Sequence, residues 1–301
     1  MAAASNSTRS RSPGILGGQY LGNFGLHCIR PSTADTVVVF VHGILSSGDF
    51  AWGEPSWPEL LKQETEFSSI GIYIFTYRTS LGSRTYSIVD VANTLRERLR
   101  QEKLLDTRKI VFVCHSMGGI VVRRFLCANQ TELLEKKLKI GLFLIASPSL
   151  GARDANMLSL LWSVLQHTQA AALRFSGTNT FLDELDQDFR KLLSDGKLLI
   201  EGRELTEDRA IPIKRWFGLR RQVVEPILAR GYFDKRGCEP LKIEGSDHVS
   251  IVKPTRNDAL QHIALKQFIN DWIIGPNTVI SACLPLREKP PVLLRVIPGC
   301  L

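Results

Sequence analysis

Continuous apolar runs alternate along the chain with segments whose apolar positions recur at helical spacing. "TVVVFV" (Thr36–Val41), "IGIYIFTY" (Ile70–Tyr77), "KIVFVC" (Lys109–Cys114) and "KIGLFLIASPS" (Lys139–Ser149) read as strands buried on both faces. Between them, a helix is expected from about Trp57 and Pro58. A second carries Ile88, Val91, Leu95 and Leu99, and a third carries Ile120, Val121, Phe125 and Leu126. This alternation predicts βαβ units and a parallel sheet. From Gly151 to Gly196 the alternation breaks. Leu158, Leu161, Trp162 and Leu165 form one amphipathic stripe, and Phe181, Leu185, Phe189 and Leu192 another, so this stretch reads as a helical cap insertion at about 151–196. "GKLLIEGRELTED" and "EPLKIEG" then resume strand character. "PTRNDALQHIALKQFINDWI" supplies the last helix, with Pro254 expected in its first turn.

The pattern divides the 301 residues into a disordered tail at 1–22, one α/β domain at 23–274 and a proline-rich tail at 275–301. A hydrophobic fraction of 44% with 23% charged residues suits a single sizeable core. The net charge of +8 favours anionic surfaces, yet the basic residues are spread out. The densest cluster, Arg215 with Arg220 and Arg221, matches no nucleic-acid motif. Nucleic acid is therefore not an expected partner, whereas peripheral contact with an anionic membrane is compatible with the charge. The six cysteines form no CxxC pair and have no nearby histidine ligands. That argues against a zinc site or a disulfide framework and for a reducing, cytoplasmic setting. "MAAASNSTRSRSPG" has no apolar core for secretion, although its Ser- and Arg-rich character weakly resembles an organellar transit peptide. The charge-free stretch Ala155–Leu173 carries too many polar groups for a membrane span.

Chemistry concentrates in "VFVCHSMGGIVVRRFL" (Val111–Leu126), a strand, a sharp turn at Ser116 and an immediate helix. A serine presented on such a turn is a candidate nucleophile, because the strained backbone thrusts its hydroxyl clear of the sheet. The turn requires small residues around it. Gly118 and Gly119 satisfy this on one side, and Cys114 stands where glycine is usual on the other. A hydroxyl becomes nucleophilic only when a base accepts its proton and amide donors hold the oxyanion. The Met117 amide is one expected donor. "VFVHGILSSG" supplies the second from Ile44, with Leu45 as fallback, while His42 is expected to brace that loop. Among six histidines, His248 in "IEGSDHVSIVKP" follows the last strand at the same sheet edge as Ser116 and is the expected base. The acid should lie between serine and histidine in the chain, which leaves Glu207 or Asp208 after "GREL", with Glu207 preferred on loop geometry. Glu225, Asp234 and Asp247 remain open, and Asp247 reads as a loop cap.

With "VFVHGI", "VCHSMGG" and "GSDHVSIVKP" in this order, the chain resembles the α/β-hydrolase superfamily. Within it the chain is similar to the lipase-like serine esterases that include the serine-active-site-containing proteins. The resemblance spans roughly Leu26 to Trp272. It implies an α/β-hydrolase fold, with a doubly wound, mostly parallel sheet, and a triad of Ser116, an acid and His248. It also implies carboxylic-ester hydrolysis, in some members on phospholipid acyl chains, with no metal and no cofactor. The apolar cap, with Trp162 in its stripe, points to an acyl substrate. Two alternatives use the same residues: a non-catalytic binding or signalling module, and an acyltransferase that passes the acyl group to an acceptor other than water.

Overall fold

The computed structural model of the chain describes residues 24–43, 51–77, 87–148, 180–209, 211–212, 223–224, 231–233 and 239–274. The frame is a seven-stranded sheet of β1 (Gly25–Arg30), β2 (Thr36–Val41), β3 (Gly71–Thr76), β4 (Lys109–His115), β5 (Lys139–Ile145), β6 (Ile200–Glu207) and β9 (Leu241–Ile243). Their spatial order is β1-β3-β2-β4-β5-β6-β9. Only β1, at one edge, runs antiparallel; every other neighbouring pair in this sheet is parallel. Two short strands, β7 (Ile211–Pro212) and β8 (Val223–Val224), pair with each other outside it.

Strict alternation of side chains along the central strands divides the core into two layers. Val37, Val39 and Val41 of β2 enter one layer, and Val38 and Phe40 enter the other. On β4, Ile110, Phe112 and Cys114 part in the same way from Val111 and Val113. The first layer is covered by α2 (Ile88–Gln101), α3 (Met117–Ala128) and α5 (Thr180–Asp195). The second is covered by α1 (Trp57–Gln63) and α6 (Leu260–Ile274). A short α4 (Gln130–Glu135) follows α3. The start of α2 is fixed by a capping box: the Ser87 hydroxyl accepts the Asp90 amide while the Asp90 carboxylate accepts the Ser87 amide.

The second helix of the expected cap insertion is α5, which lies between β5 and β6 in the chain, and its Leu182, Leu185, Phe189 and Leu192 are buried in the first core layer beside α3. Residues 151–179, including Trp162 and the other cap stripe, lie outside the described residues, as do both tails and the Arg215–Arg221 cluster. The last helix begins at Leu260, not at Pro254. Pro254 is buried in the preceding loop, where a turn from Arg256 to Ala259 delays the helix. Among the described residues, no helix is long and apolar enough to cross a membrane.

Because β2, β4, β5, β6 and β9 are parallel, their carboxyl ends share one edge of the sheet. His42 and Gly43, Ser116, Ala146 to Pro148, Glu207 and the loop from Glu244 onward all emerge there. That edge is where ligands bind in open parallel sheets.

Candidate active site

Ser116 sits between the last residue of β4 and the first of α3 with φ 51° and ψ −121°. A side chain rarely adopts a positive φ, and holding it there requires the surroundings to over-determine the turn. Its amide donates to the Ile145 carbonyl at 3.0 Å, and its carbonyl accepts from Gly119 at 3.1 Å. The glycines are demanded by close approach. A Cβ on Gly118 would lie 2.3 Å from the Val41 carbonyl oxygen, and one on Gly119 would lie 2.1 Å from the Ser147 hydroxyl. Cys114, where glycine is usual, is accommodated inside the first core layer opposite Val41 and Leu144. Burial pushes its thiol well above its ordinary value, so it has no thiolate character.

As the first residue of α3, Met117 offers an amide with no intrahelical acceptor at the positive end of the helix. The other wall is Gly43, where an added Cβ would come 2.7 Å from the Ser116 Cβ. Ile44 and Leu45, the expected second donors, lie outside the described residues. His42 braces this turn. Its Nε2 accepts the Tyr77 amide at 3.1 Å, so its Nδ1–H donates to the Gly43 carbonyl at 2.8 Å. The Tyr77 hydroxyl donates to the His42 carbonyl at 2.7 Å.

Burial lowers the His42 pKa to about 4, only partly offset by its bond to Gly43. The folded protein therefore keeps this ring neutral, while the unfolded chain takes up a proton near the ordinary histidine value. Its contribution to stability is complete above about pH 6.5 and is lost as the pH falls towards 4. Between about pH 7 and pH 5 the loss from His42 alone should be about 2 kcal/mol. Urea midpoints at the two pH values check this, with a smaller pH-dependent loss expected in His42→Gln than in the native chain.

On the acid side, Glu207 ends β6 and His248 lies in the loop after β9; both are buried. The His248 Nδ1–H donates to Glu207 Oε1 at 3.3 Å, a long contact that leaves Nε2 as the acceptor face of the neutral ring. Glu207 Oε2 has no hydrogen-bond partner among the described residues. Asp208 is used otherwise: its carboxylate accepts the Gly245 amide at 3.1 Å and lies 3.9 Å from Lys242. The amides of Asp208 and Arg209 both donate to the Ser246 carbonyl. Asp247 caps the same loop through the amides of Val249 and Ser250 and the Ser250 hydroxyl. Partial burial opposes its ionisation, but these hydrogen bonds win and hold its carboxyl below the usual range.

His115, next to the serine in the chain, was not among the residues that the sequence singled out. The structure shows its Nε2–H donating to the His248 carbonyl at 2.9 Å, with the two rings 4.9 Å apart. Among the described residues, the hydrogen bonds of His248 run to Glu207 and His115, and none joins it to the Ser116 hydroxyl. Serine–imidazole bonds are often open in resting sites and tighten when substrate is bound. His262, by contrast, is occupied on the far face: Trp57 donates to its Nδ1, and its Nε2–H donates to Glu64.

Arg123 was also missed. It is buried on α3, donating to the carbonyls of Gly119 and Pro148 and to the Tyr232 hydroxyl, with Asp186 nearby. Its one sequence signal is a charge within the apolar face formed by Ile120, Val121 and Phe125. No group of three or more His, Cys, Asp or Glu among the described residues is arranged to hold a metal ion.

A sequence model of the alpha/beta hydrolase family matches residues 38–257. No curated protein sequence matches significantly. Among solved structures, the chain is similar to the phospholipase PlaB from Legionella pneumophila. That likeness has 14% identity and a TM-score of 0.50, covering 78% of this chain and 59% of that one. This chain thus spans about three-fifths of the phospholipase's length. The lipase BlEst2 from Bacillus licheniformis matches at 17% identity with a TM-score of 0.40, over 78% of this chain and 96% of its own. At 14% identity the likeness to the phospholipase concerns the fold alone.

Proposed function

This chain belongs to the alpha/beta hydrolase family, and on that premise we propose that it is a serine hydrolase that cleaves carboxylic esters through an acyl-enzyme on Ser116. The observation that carries the reading is the strained turn at Ser116 on the same sheet edge as the buried His248–Glu207 pair. In the proposed reaction, His248 Nε2 takes the hydroxyl proton as Ser116 Oγ attacks the ester carbonyl carbon. Glu207 stabilises the imidazolium at Nδ1. The amides of Met117 and Ile44 hold the oxyanion, each donor worth roughly 3 kcal/mol in the transition state. Collapse of the tetrahedral intermediate breaks the ester C–O bond, and the imidazolium returns the proton to the departing alkoxide. Water then loses a proton to His248 and attacks the acyl-serine, releasing the acid and restoring Ser116.

The proposed substrate class is an acyl ester, including esters of anionic phospholipids, with which the net charge of +8 is compatible. A panel of p-nitrophenyl esters of graded acyl length tests the proposal, with turnover expected on at least part of the series. Rates at the buffer background throughout, together with no reaction with a fluorophosphonate probe, would contradict it and favour the non-catalytic binding module.

A further inference from the structure

We propose that His115 is a positioning residue, whose backbone carries Ser116 while its side chain fixes the carbonyl of His248 and so sets the spacing between nucleophile and base. The inference rests on the serine-hydrolase reading and deepens it. Two kinds of tether hold the loop that bears His248. The Asp208 and Arg209 contacts to Gly245 and Ser246 tie it to β6, the strand of the acid. The bond from His115 Nε2–H to the His248 carbonyl, at 2.9 Å, ties it to β4, the strand of the nucleophile. β4 lies between β2 and β5, paired with β2 as far as Cys114 and with β5 as far as His115, so the anchor is held by the centre of the sheet.

The site is built at a cost that packing alone does not explain. His115 is buried, and the carbonyl acceptor fixes the tautomer with the proton on Nε2. That leaves Nδ1 as a bare acceptor, without a partner among the described residues. A buried acceptor left unpaired is destabilising, because its hydration is lost and not replaced. A leucine at this position would fill comparable space without that penalty, but it could not donate to His248. The wall beside the ring is also narrow, since a Cβ on Gly43 would come 3.1 Å from His115 Nδ1.

The test compares His115→Leu, which removes the donor, with His115→Gln, whose amide nitrogen can reach the same carbonyl. On a p-nitrophenyl ester, His115→Leu should lower kcat by about 10- to 100-fold with KM within about twofold, as expected when a catalytic group is displaced by a fraction of an ångström to an ångström. His115→Gln should recover most of that loss. In a His248→Ala background, His115→Leu should cost nothing further, because its effect passes through the imidazole. A second readout is independent of turnover: hydrogen exchange across residues 246–250 should rise in His115→Leu and not in His115→Gln. Native kcat and native exchange in His115→Leu would overturn the proposal, and so would an equal loss in the His248→Ala background. If the native chain turned over no ester while the exchange difference appeared, the hydrolase reading would fail and the tether would stand.

Discussion

Ser116→Ala is expected to lower ester turnover by on the order of 10⁴-fold or more, with folding stability close to native. The size follows from the chemistry: without Oγ no acyl-enzyme forms, and what remains is the rate that oxyanion donors and binding give to direct attack by water. The small stability effect follows from the structure. Alanine keeps the Cβ that already sits against Gly43, and the turn is held by backbone bonds to Ile145 and Gly119 that do not involve the hydroxyl. Steady-state kinetics paired with a urea titration separates the two quantities. Large losses in both would mean that Ser116 is needed for the fold, and the activity loss would then carry no mechanistic weight.

The second large effect is expected at Glu207. Glu207→Gln should reduce kcat by about 10³- to 10⁴-fold, the scale seen when the orienting carboxylate of a serine-hydrolase triad becomes an amide. A glutamine can present its NH₂ group to Nδ1, which favours the tautomer with the proton on Nε2, where the base must be bare. Its amide also gives the imidazolium no countercharge. Asp208→Asn should stay within about threefold of native, since that carboxylate is spent on the Gly245 amide and Lys242. The two variants measured side by side decide between the acids. A collapse of activity in Asp208→Asn with near-native Glu207→Gln would move the orienting role to Asp208.

Much of the frame was legible in the pattern of residues. "TVVVFV", "KIVFVC" and "KIGLFLI" carry β-branched and aromatic residues in unbroken runs, and only a strand flanked by helices on both faces buries such runs. Chain order with strand-end placement singled out Ser116 and His248 as candidates, because parallel strands deliver their carboxyl ends to one edge. The packing of α5 was not legible, because an amphipathic helix looks the same whether its stripe meets a core layer or a cavity. Leu185 and Phe189 carry no mark of which. Pro254 is compatible with a helix start, but the turn from Arg256 to Ala259 claims the residues between. Glu207 is the last residue of β6 and Asp208 the first beyond it. Only the folded backbone at the strand's end, which brings one to His248 and the other to the loop at Gly245, separates them, and residue type carries no sign of it. His115 was illegible for a related reason: its partner is a backbone carbonyl 133 positions away, and no residue type signals a carbonyl.

The most direct measurement is mass spectrometry of the intact chain and its peptides after reaction with a fluorophosphonate. One adduct per chain, on the peptide containing Ser116 and missing from Ser116→Ala, is the predicted result. An adduct mapped to any other residue, or full labelling of Ser116→Ala, would contradict the account.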